Sequence, residues 1–202
     1  MRGLQREGPR DFQELVHRRH SVREFLPRPV SHAQITAVLE AARRAPSAGN
    51  LQAYRILVVE DRECRAEVAE AAGQQAFIAD APVVLVFCAD AAVSAAEYGT
   101  RGAELYAVQD ATIACAYAQL AVAAVGLGCV WIGAFNEDAV RSAIGIDREL
   151  RPVALLPIGH AGKPGQTTPR RPLVNLVEYL DRPTTEARRL QASTEEANHD
   201  DF

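Results

Sequence analysis

Three arginines, a histidine and a serine lie together within residues 18–23. Arg19, Ser21 and Arg23 alternate, so an extended segment would place their side chains on one face. Two guanidinium groups and a hydroxyl on one face suit a phosphate, whose oxygens accept paired hydrogen bonds. A solvated basic turn is the alternative for such a charge run, and this stretch taken alone favours it.

A second polar stretch, residues 46–52, separates a predicted helix from a predicted buried strand. Its Asn50 and Gln52 carry amides that both donate and accept hydrogen bonds, and loops in this position often contact ligands. An ordinary turn accounts for the same residues, because Asn and Gly favour turn conformations of the backbone. Without further support, the turn is the better interpretation.

Length and composition predict a single globular domain. The chain has 202 residues, of which 48% are hydrophobic, enough for a substantial core. Its formal net charge of −4 argues against a general nucleic-acid binder. No apolar run approaches the roughly 20 residues of a membrane helix, and residues 1–11 lack the apolar core of a signal peptide. We therefore expect a cytoplasmic protein, with neither nucleic acid nor a membrane as partner.

The four cysteines are predicted to be structural, and no metal site is expected. They are far apart, form no C-x-x-C pair and lack metal-ligand spacing. Cys88 and Cys115 lie in apolar surroundings, which is typical of small core residues. No strand is followed by G-x-G-x-x-G, and the P-loop, H-E-x-x-H and G-x-S-x-G motifs are absent.

Capping residues and apolar runs predict an α+β domain in which helices cover about four strands. N-cap residues are expected at Asp11, Ser31, Asp61 and Asn136. Strands are expected over 56–59, 82–88, 129–132 and 153–158, the second of them covered on both faces. Residues 91–102 are less regular and are expected to form a mobile cover, and residues 173–180 a last short helix. Polar segments, 1–11 and 181–202, flank the domain at 12–180.

The longest helix is predicted over 103–125. Its second half is apolar all round, and such a helix is buried on every side. A chain this short has few elements to cover it, so a second subunit is expected to pack there. The alanines of the helix allow close approach, and replacing Ala118 or Ala121 by Glu is expected to destroy the dimer.

Several separate segments, in order, resemble the FMN-dependent nitroreductase family. The resemblance covers roughly residues 12–179, and agreement among many motifs makes it specific. The matching segments are Arg19-His20-Ser21-Val22-Arg23, the stretch 45–52, Tyr98-Gly99-Thr100-Arg101-Gly102, the stretch 105–110, the stretch 126–135, the stretch 151–159 and Arg170-Arg171-Pro172-Leu173.

The resemblance implies a three-layer α/β/α sandwich with a mostly antiparallel sheet, in an intertwined homodimer with two FMN sites between the subunits. Arg19, Ser21 and Arg170 would hold the phosphate, and His20 would lie beside the phosphate and the ribityl chain. Arg23 would reach the pyrimidine side of the ring. The ring edge and the region near N5 would contact Asn50, Gln52 and backbone groups of Ile132, Gly133 and Ala134.

The implied activity is an oxidoreductase that passes a hydride from NADH or NADPH through FMN to a small acceptor, such as a nitroaromatic or a quinone, in a ping-pong cycle. The cofactor carries the difficult step, so no catalytic side chain is expected. Tyr98 and Tyr106 are the candidates for lining the substrate side. Two alternatives stay open: a flavin store or sensor with little turnover, and a specialised flavin enzyme such as a dehalogenase.

The chain departs from the family pattern at three places. Thr168 stands where some relatives have a second basic residue, and His160 stands where Tyr is common. The stretch 132–134 lacks the glutamate that many relatives carry beside the ring. These departures leave the substrate and the choice between NADH and NADPH open.

Overall fold

A four-stranded antiparallel sheet forms the centre of the chain. The computed structural model describes residues 9–163 and 168–180. The strands are β1 (Tyr54–Val59), β2 (Val83–Asp90), β3 (Gly128–Cys129) and β4 (Leu150–Gly159), in the spatial order β1-β2-β4-β3. Each neighbouring pair runs antiparallel. The expected antiparallel sheet is thus confirmed.

Helices cover both faces of this sheet. They are α1 (Pro9–Arg18), α2 (His32–Arg43), α3 (Arg62–Ala71), α4 (Phe77–Asp80), α5 (Ala91–Arg101), α6 (Ala107–Ala124) and α7 (Glu137–Ile144). Alternate β2 residues Val83, Leu85 and Phe87 pack with α2 and α6. The residues between them face α3, α4 and α7. Because both faces are covered, β2 is buried along nearly its whole length, and the three-layer α+β prediction is confirmed.

The predicted helix starts are largely correct. Ser31 accepts from the backbone N–H of Gln34, whose side chain accepts in return from the Ser31 N–H, which completes the capping box. Asp61 and Asn136 cap α3 and α7 through their side-chain oxygens. The expectation for Asp11 is wrong, because the described part of α1 already begins at Pro9.

Two further predictions of secondary structure need correction. Residues 91–101 form the helix α5 rather than an irregular cover, because the side chain of Asp90 caps its first turn. A π-helical turn, Gly102–Tyr106, joins it to α6, which therefore begins later than expected. Residues 173–180 form only the short 3₁₀ turn Leu173–Asn175, whose described side chains are all exposed.

One side of α6 lies in the core and the other is open in a single chain. Ala114, Ala118 and Val122 are fully buried, whereas Ala116 is exposed and Tyr117 keeps 41% of its surface. Ala118 therefore belongs to the chain's own core and cannot report on a dimer, contrary to the expectation from sequence. Among the described residues, no helix is both long and apolar enough to cross a bilayer.

The described residues 168–180 belong to a second compact unit and are described by themselves. Within it, Arg170 Nη1 donates to the Thr168 carbonyl at 3.0 Å, and Arg171 Nη2 donates to the Asn175 carbonyl at 2.9 Å. The predicted terminal segments, apart from residues 9–11 in α1, lie outside the described residues, as do residues 164–167.

Candidate functional site

The basic stretch after α1 runs beside β3. The Val22 N–H donates to the Cys129 carbonyl at 2.9 Å, and Ser21 pairs with Cys129 in a parallel bridge. Val22 is buried while Ser21 and Arg23 are exposed. A Cβ at Gly128 would come within 2.7 Å of Val22, so only glycine allows β3 to approach this closely.

A cavity of about 210 Å³ lies where this stretch meets the end of α6 and the start of β3. Its cationic and polar wall consists of Arg18, Arg19 and His20. The remaining lining residues are small or apolar: Val22, Ala123, Gly126, Leu127, Gly128, Cys129 and Ala161. No carboxylate lines it among the described residues. Ser21 and Arg23, which sequence grouped with Arg19, are not on its wall.

The positive charge of this cavity is only weakly compensated. Arg18 pairs with Glu14 at 3.5 Å on the exposed surface, and Arg19 forms no ion pair with any residue that the structure describes. The His20 Nδ1 lies 2.8 Å from the Arg18 carbonyl oxygen. Burial raises the pKa of Cys129 to about 12, which the nearby Arg19 charge opposes. The cavity therefore favours an anion.

Asp110 fixes the polar loop 46–53 from the first half of α6. This carboxylate is 2% exposed and accepts hydrogen bonds from two backbone amides, Ala48 N–H at 2.9 Å and Ala53 N–H at 3.4 Å. The two amides flank Asn50 and Gln52, so one side chain spans the base of the loop. Within the described chain, Asp110 forms no ion pair.

The loop holds a backbone conformation that side chains rarely adopt. Asn50 and Gln52 have φ of 57° and 49°, in the left-handed region. Gln52 Nε2 donates to the Asn50 carbonyl at 2.5 Å, and both side chains remain exposed. Strain of this kind persists where surrounding contacts enforce it, and it is common at ligand sites.

The segment that follows β3 offers backbone groups rather than side chains. Ile132 exchanges two hydrogen bonds of 3.0 Å with Leu155, which keeps the segment extended along β4. Gly133 and Ala134 are exposed, and their amides donate to no acceptor in the described chain. A cavity of about 150 Å³ next to Gly133 is also lined by Val108 of α6.

Tyr98 and Tyr106 meet at the break between α5 and α6. Their rings are T-shaped, with centroids 5.2 Å apart. The Tyr98 hydroxyl is so close to Gly49 that a Cβ there would lie 2.5 Å from it. Tyr98 therefore lies beside the loop of Asn50, and Tyr106 packs against Tyr98. Their role in lining the substrate side stays a prediction.

The predicted site residues fall into separate groups on one chain. Arg19 and His20 line a cavity that borders Ala123, whereas the Asn50 loop is fixed by Asp110, thirteen residues earlier on α6. At 1.5 Å per residue the two groups are about 20 Å apart along the helix. Ile132 lies three residues beyond Cys129, about 10 Å along the sheet. Arg170 belongs to the separately described unit.

Sequence reasoning missed Asp110 and Arg18. Asp110 is the only charged residue of α6, and a lone acid in an apolar helix is a signal that could have identified it. Arg18 was part of the basic stretch, but the alternation rule excluded it. It reaches the cavity because α1 ends there and the helical turn brings Arg18 beside Arg19.

The fold and this site define a three-layer α+β protein with a cationic cavity at the edge of its sheet. A family model described as "Nitroreductase family" matches residues 16–78 and 69–160. The chain belongs to this family, so the resemblance seen in its sequence is confirmed.

Three similar proteins illustrate the match. An NADH dehydrogenase of Thermus thermophilus is 33% identical over 194 residues, which cover 83% of this chain and 95% of that protein. An FMN reductase [NAD(P)H] of Bacillus subtilis is 33% identical over 165 residues, which cover 75% of this chain and 66% of that protein. The solved structure of the hypothetical oxidoreductase YcnD from Bacillus subtilis aligns with a TM-score of 0.77 and 28% identity, covering 87% of this chain and 75% of that one.

Proposed function

We propose that this protein is an FMN-dependent oxidoreductase that takes a hydride from NADH or NADPH and reduces a small acceptor, such as a nitroaromatic or a quinone. The main support is the cavity in which Arg18, Arg19 and His20 converge and whose described lining contains no carboxylate. Its donor set suits a phosphate monoester, since guanidinium groups bind phosphate oxygens in pairs. The flavin chemistry named for relatives, including an FMN reductase, supports the same assignment.

The residues present fit FMN from its phosphate to its ring. Arg19 and His20 would hold the phosphate. The phosphate contacts that the sequence predicted for Ser21 and Arg170 stay predictions. The extended segment from Cys129 to Ile132 gives the ribityl chain a path of about 10 Å. At its end, the unpaired amides of Gly133 and Ala134 are available to the ring, and Arg23 is the cation proposed for its pyrimidine side.

A second copy of the chain would complete the site. The cavity of about 210 Å³ is smaller than the roughly 300–1,000 Å³ typical of cofactor pockets. Asn50 and Gln52 lie about 20 Å along α6 from the Arg19 cavity. If the exposed Ala116–Tyr117 side of α6 packs antiparallel against its symmetry mate, the Asn50 loop of one chain comes beside the Arg19 cavity of the other. We therefore propose a homodimer in which residues 12–180 form the FMN-binding unit.

Bound FMN supplies the chemistry of hydride acceptance and electron delivery. The protein's part is to bind and orient it. The donors named above would hold the phosphate and the backbone amides would be available to the ring, so no side chain would have to act as nucleophile. The buried thiols fit this division, since burial raises the pKa of Cys88 to about 12 and that of Cys115 well above its usual value. Such thiols stay protonated and inert.

Anaerobic mixing of the FMN-loaded protein with NADH or NADPH tests this proposal. We expect the absorbance of oxidised flavin to bleach within seconds, and addition of a nitroaromatic or quinone to restore it. No bleaching over many minutes with either nucleotide would contradict the proposal. It would favour the alternative of a flavin store or sensor with little turnover. Restoration by a halogenated aromatic alone, with release of halide, would instead identify the dehalogenase alternative.

A further inference from the structure

The break between α5 and α6 carries a guanidinium group that the proposed function does not use. Arg101 is exposed, and its Nε donates to the Tyr106 hydroxyl at 3.0 Å. Its guanidinium carbon lies 5.5 Å from the centre of the Tyr106 ring. Arg101 pairs with no carboxylate in the described parts of the chain. Its two Nη groups therefore keep their hydrogens for an external acceptor.

Two contacts hold this guanidinium in one place. The hydrogen bond fixes its Nε edge, and the cation–π contact restricts its plane. Tyr106 is in turn braced by Tyr98, whose ring meets it edge-on. An arginine that is already positioned loses less side-chain freedom when it binds an anion, so its fork is suited to a carboxylate or a phosphate oxygen pair.

The backbone around Arg101 has two unusual features, which are often found at functional sites. Gly99 has φ 58° and ψ −145°, a conformation close to the region that only glycine enters readily. The π-helical turn Gly102–Tyr106 follows, and such turns are frequent at functional sites. Ser94, beside Gly102, is fully buried, yet its hydroxyl has no hydrogen-bond partner in the described chain. Buried hydroxyl groups without a partner are uncommon in folded proteins.

The position of the cluster connects it to the proposed site. The Tyr98 hydroxyl touches Gly49, the residue before Asn50. The cluster of Tyr98, Tyr106 and Arg101 therefore lies beside the loop that carries Asn50. Aromatic faces beside a positioned cation suit an aromatic compound that bears a negative group.

We propose that Arg101, with Tyr98 and Tyr106, forms a subsite that binds an anionic group, a carboxylate or a phosphate, of a substrate at the flavin site. The assignment of a substrate rests on the proposed oxidoreductase function. The anion has two candidate sources: a carboxylate on an aromatic acceptor, or the 2′-phosphate that distinguishes NADPH from NADH. The subsite selects for charge and does not take part in hydride transfer.

Paired probes that differ only in charge test the subsite in the FMN-loaded protein. For the acceptor, 4-nitrobenzoate is compared with the neutral 4-nitrobenzamide, both by calorimetric binding and by kcat/KM. For the donor, NADPH is compared with NADH. Arg101→Gln is expected to lower the preference for the charged member of one pair by about three- to tenfold, a modest factor because the group is exposed to solvent. The affected pair identifies the source of the anion.

Matched variants separate a local effect from a change in overall charge. Arg148→Gln removes the same charge from another exposed arginine that makes no ion pair within the described chain, and it should leave both preferences unchanged. Tyr106→Phe keeps the ring but removes the hydroxyl that holds Arg101, so the same preference should fall by about two- to threefold. An unchanged preference in Tyr106→Phe would overturn the role of this hydrogen bond.

The subsite is overturned if Arg101→Gln and Arg148→Gln show the same charge preferences as the original protein for both pairs. Failure of the proposed function would look different. In that case NADH and NADPH would leave the flavin absorbance unchanged, while calorimetry with 4-nitrobenzoate and 4-nitrobenzamide would still show whether Arg101 distinguishes charge.

Discussion

The two ends of α6 prepare for ligands in opposite ways. Near Ala123, the described chain offers weakly compensated positive charge in a cavity, with ordinary backbone around Arg19. At the other end, the buried Asp110 carboxylate accepts hydrogen bonds from backbone amides of the protein itself and so holds a strained loop in place. We therefore expect the Arg19 cavity to contribute directly to ligand affinity, and Asp110 to contribute by positioning the Asn50 loop. This difference predicts that substitution of Arg19 lowers FMN affinity, whereas substitution of Asp110 lowers the free energy of unfolding.

The exposed side of α6 lies between the two ends, and a charge there should have the largest effect. Ala116→Glu would place an unpaired carboxylate in the proposed dimer interface, at a cost of about 3–5 kcal/mol per buried charge. We expect light scattering to report a monomer near the chain mass of 21.9 kDa and the FMN to be lost with the dimer.

Ala139→Glu is the matched control, because Ala139 is an exposed helical alanine of α7 on the opposite face of the sheet. It should remain dimeric and yellow. Ala118→Glu would instead unfold the chain, since Ala118 is fully buried within it. A yellow, stable dimer in Ala116→Glu would show that this side of α6 is not the interface.

Arg19→Ala should weaken FMN binding without destabilising the protein. Loss of a hydrogen bond to a charged group typically costs about 1.5–3 kcal/mol, or roughly ten- to a hundredfold in affinity. Fluorescence titration of the apoprotein with FMN measures this change, and urea unfolding of the apoprotein should be unaltered. Arg55→Ala, an exposed arginine on β1, serves as the control. Undiminished affinity in Arg19→Ala would remove it from the phosphate site.

Asp110→Asn should show the reverse pattern. The amide keeps the shape of the carboxylate but has only one oxygen, so one of the Ala48 and Ala53 amides loses its acceptor. Leaving such a group unpaired costs about 1–3 kcal/mol. The free energy of unfolding of the apoprotein should fall by about that amount, and FMN affinity should change only through the loosened loop. Equal stability, with protected Ala48 and Ala53 amides in hydrogen exchange, would refute the positioning role.

Among these substitutions, Cys129→Ala should change stability least at neutral pH. Its effect on the free energy of unfolding should become measurable at alkaline pH. Burial raises the pKa of Cys129 from 9.0 to about 12 in the folded chain, so the folded state retains a proton that the unfolded chain releases. The stability due to this group is complete below pH 9 and is lost as the pH rises towards 12. Cys129→Ala should therefore flatten the alkaline decline seen in urea unfolding. An identical pH profile in the variant would contradict this assignment.

The sequence predicted the layers of the fold because local signals were strong there. The continuous apolar run at 82–88, the capping box at Ser31 and the Asn136 cap were all predicted correctly. The stretch 91–106 was predicted poorly, since its glycines are typical of a loop while Asp90 and the packing against Ser94 make it a helix with a π turn. Tertiary contacts there override local preference.

The site was harder to predict than the fold. Alternation in the sequence grouped Ser21 and Arg23 with Arg19 on one face, yet only Arg19 of the three lines the cavity. The cavity instead recruits Arg18, because the end of α1 turns the chain there. The hydrogen bonds that the Ala48 and Ala53 amides donate to Asp110 join residues about sixty positions apart, and no local sequence pattern reveals such contacts.

A hybrid dimer tests most directly whether the two ends of α6 from different chains form one FMN site. Arg19→Ala chains and Asn50→Ala/Gln52→Ala chains, carrying different tags, are co-expressed and the mixed dimer is isolated. If the site is shared, the mixed dimer has one intact site and one doubly defective site, so it should bind about half the FMN of the original dimer with unchanged affinity. Two weakened sites, each with the affinity of the corresponding single-variant dimer and neither of them tight, would show that each chain builds its site alone.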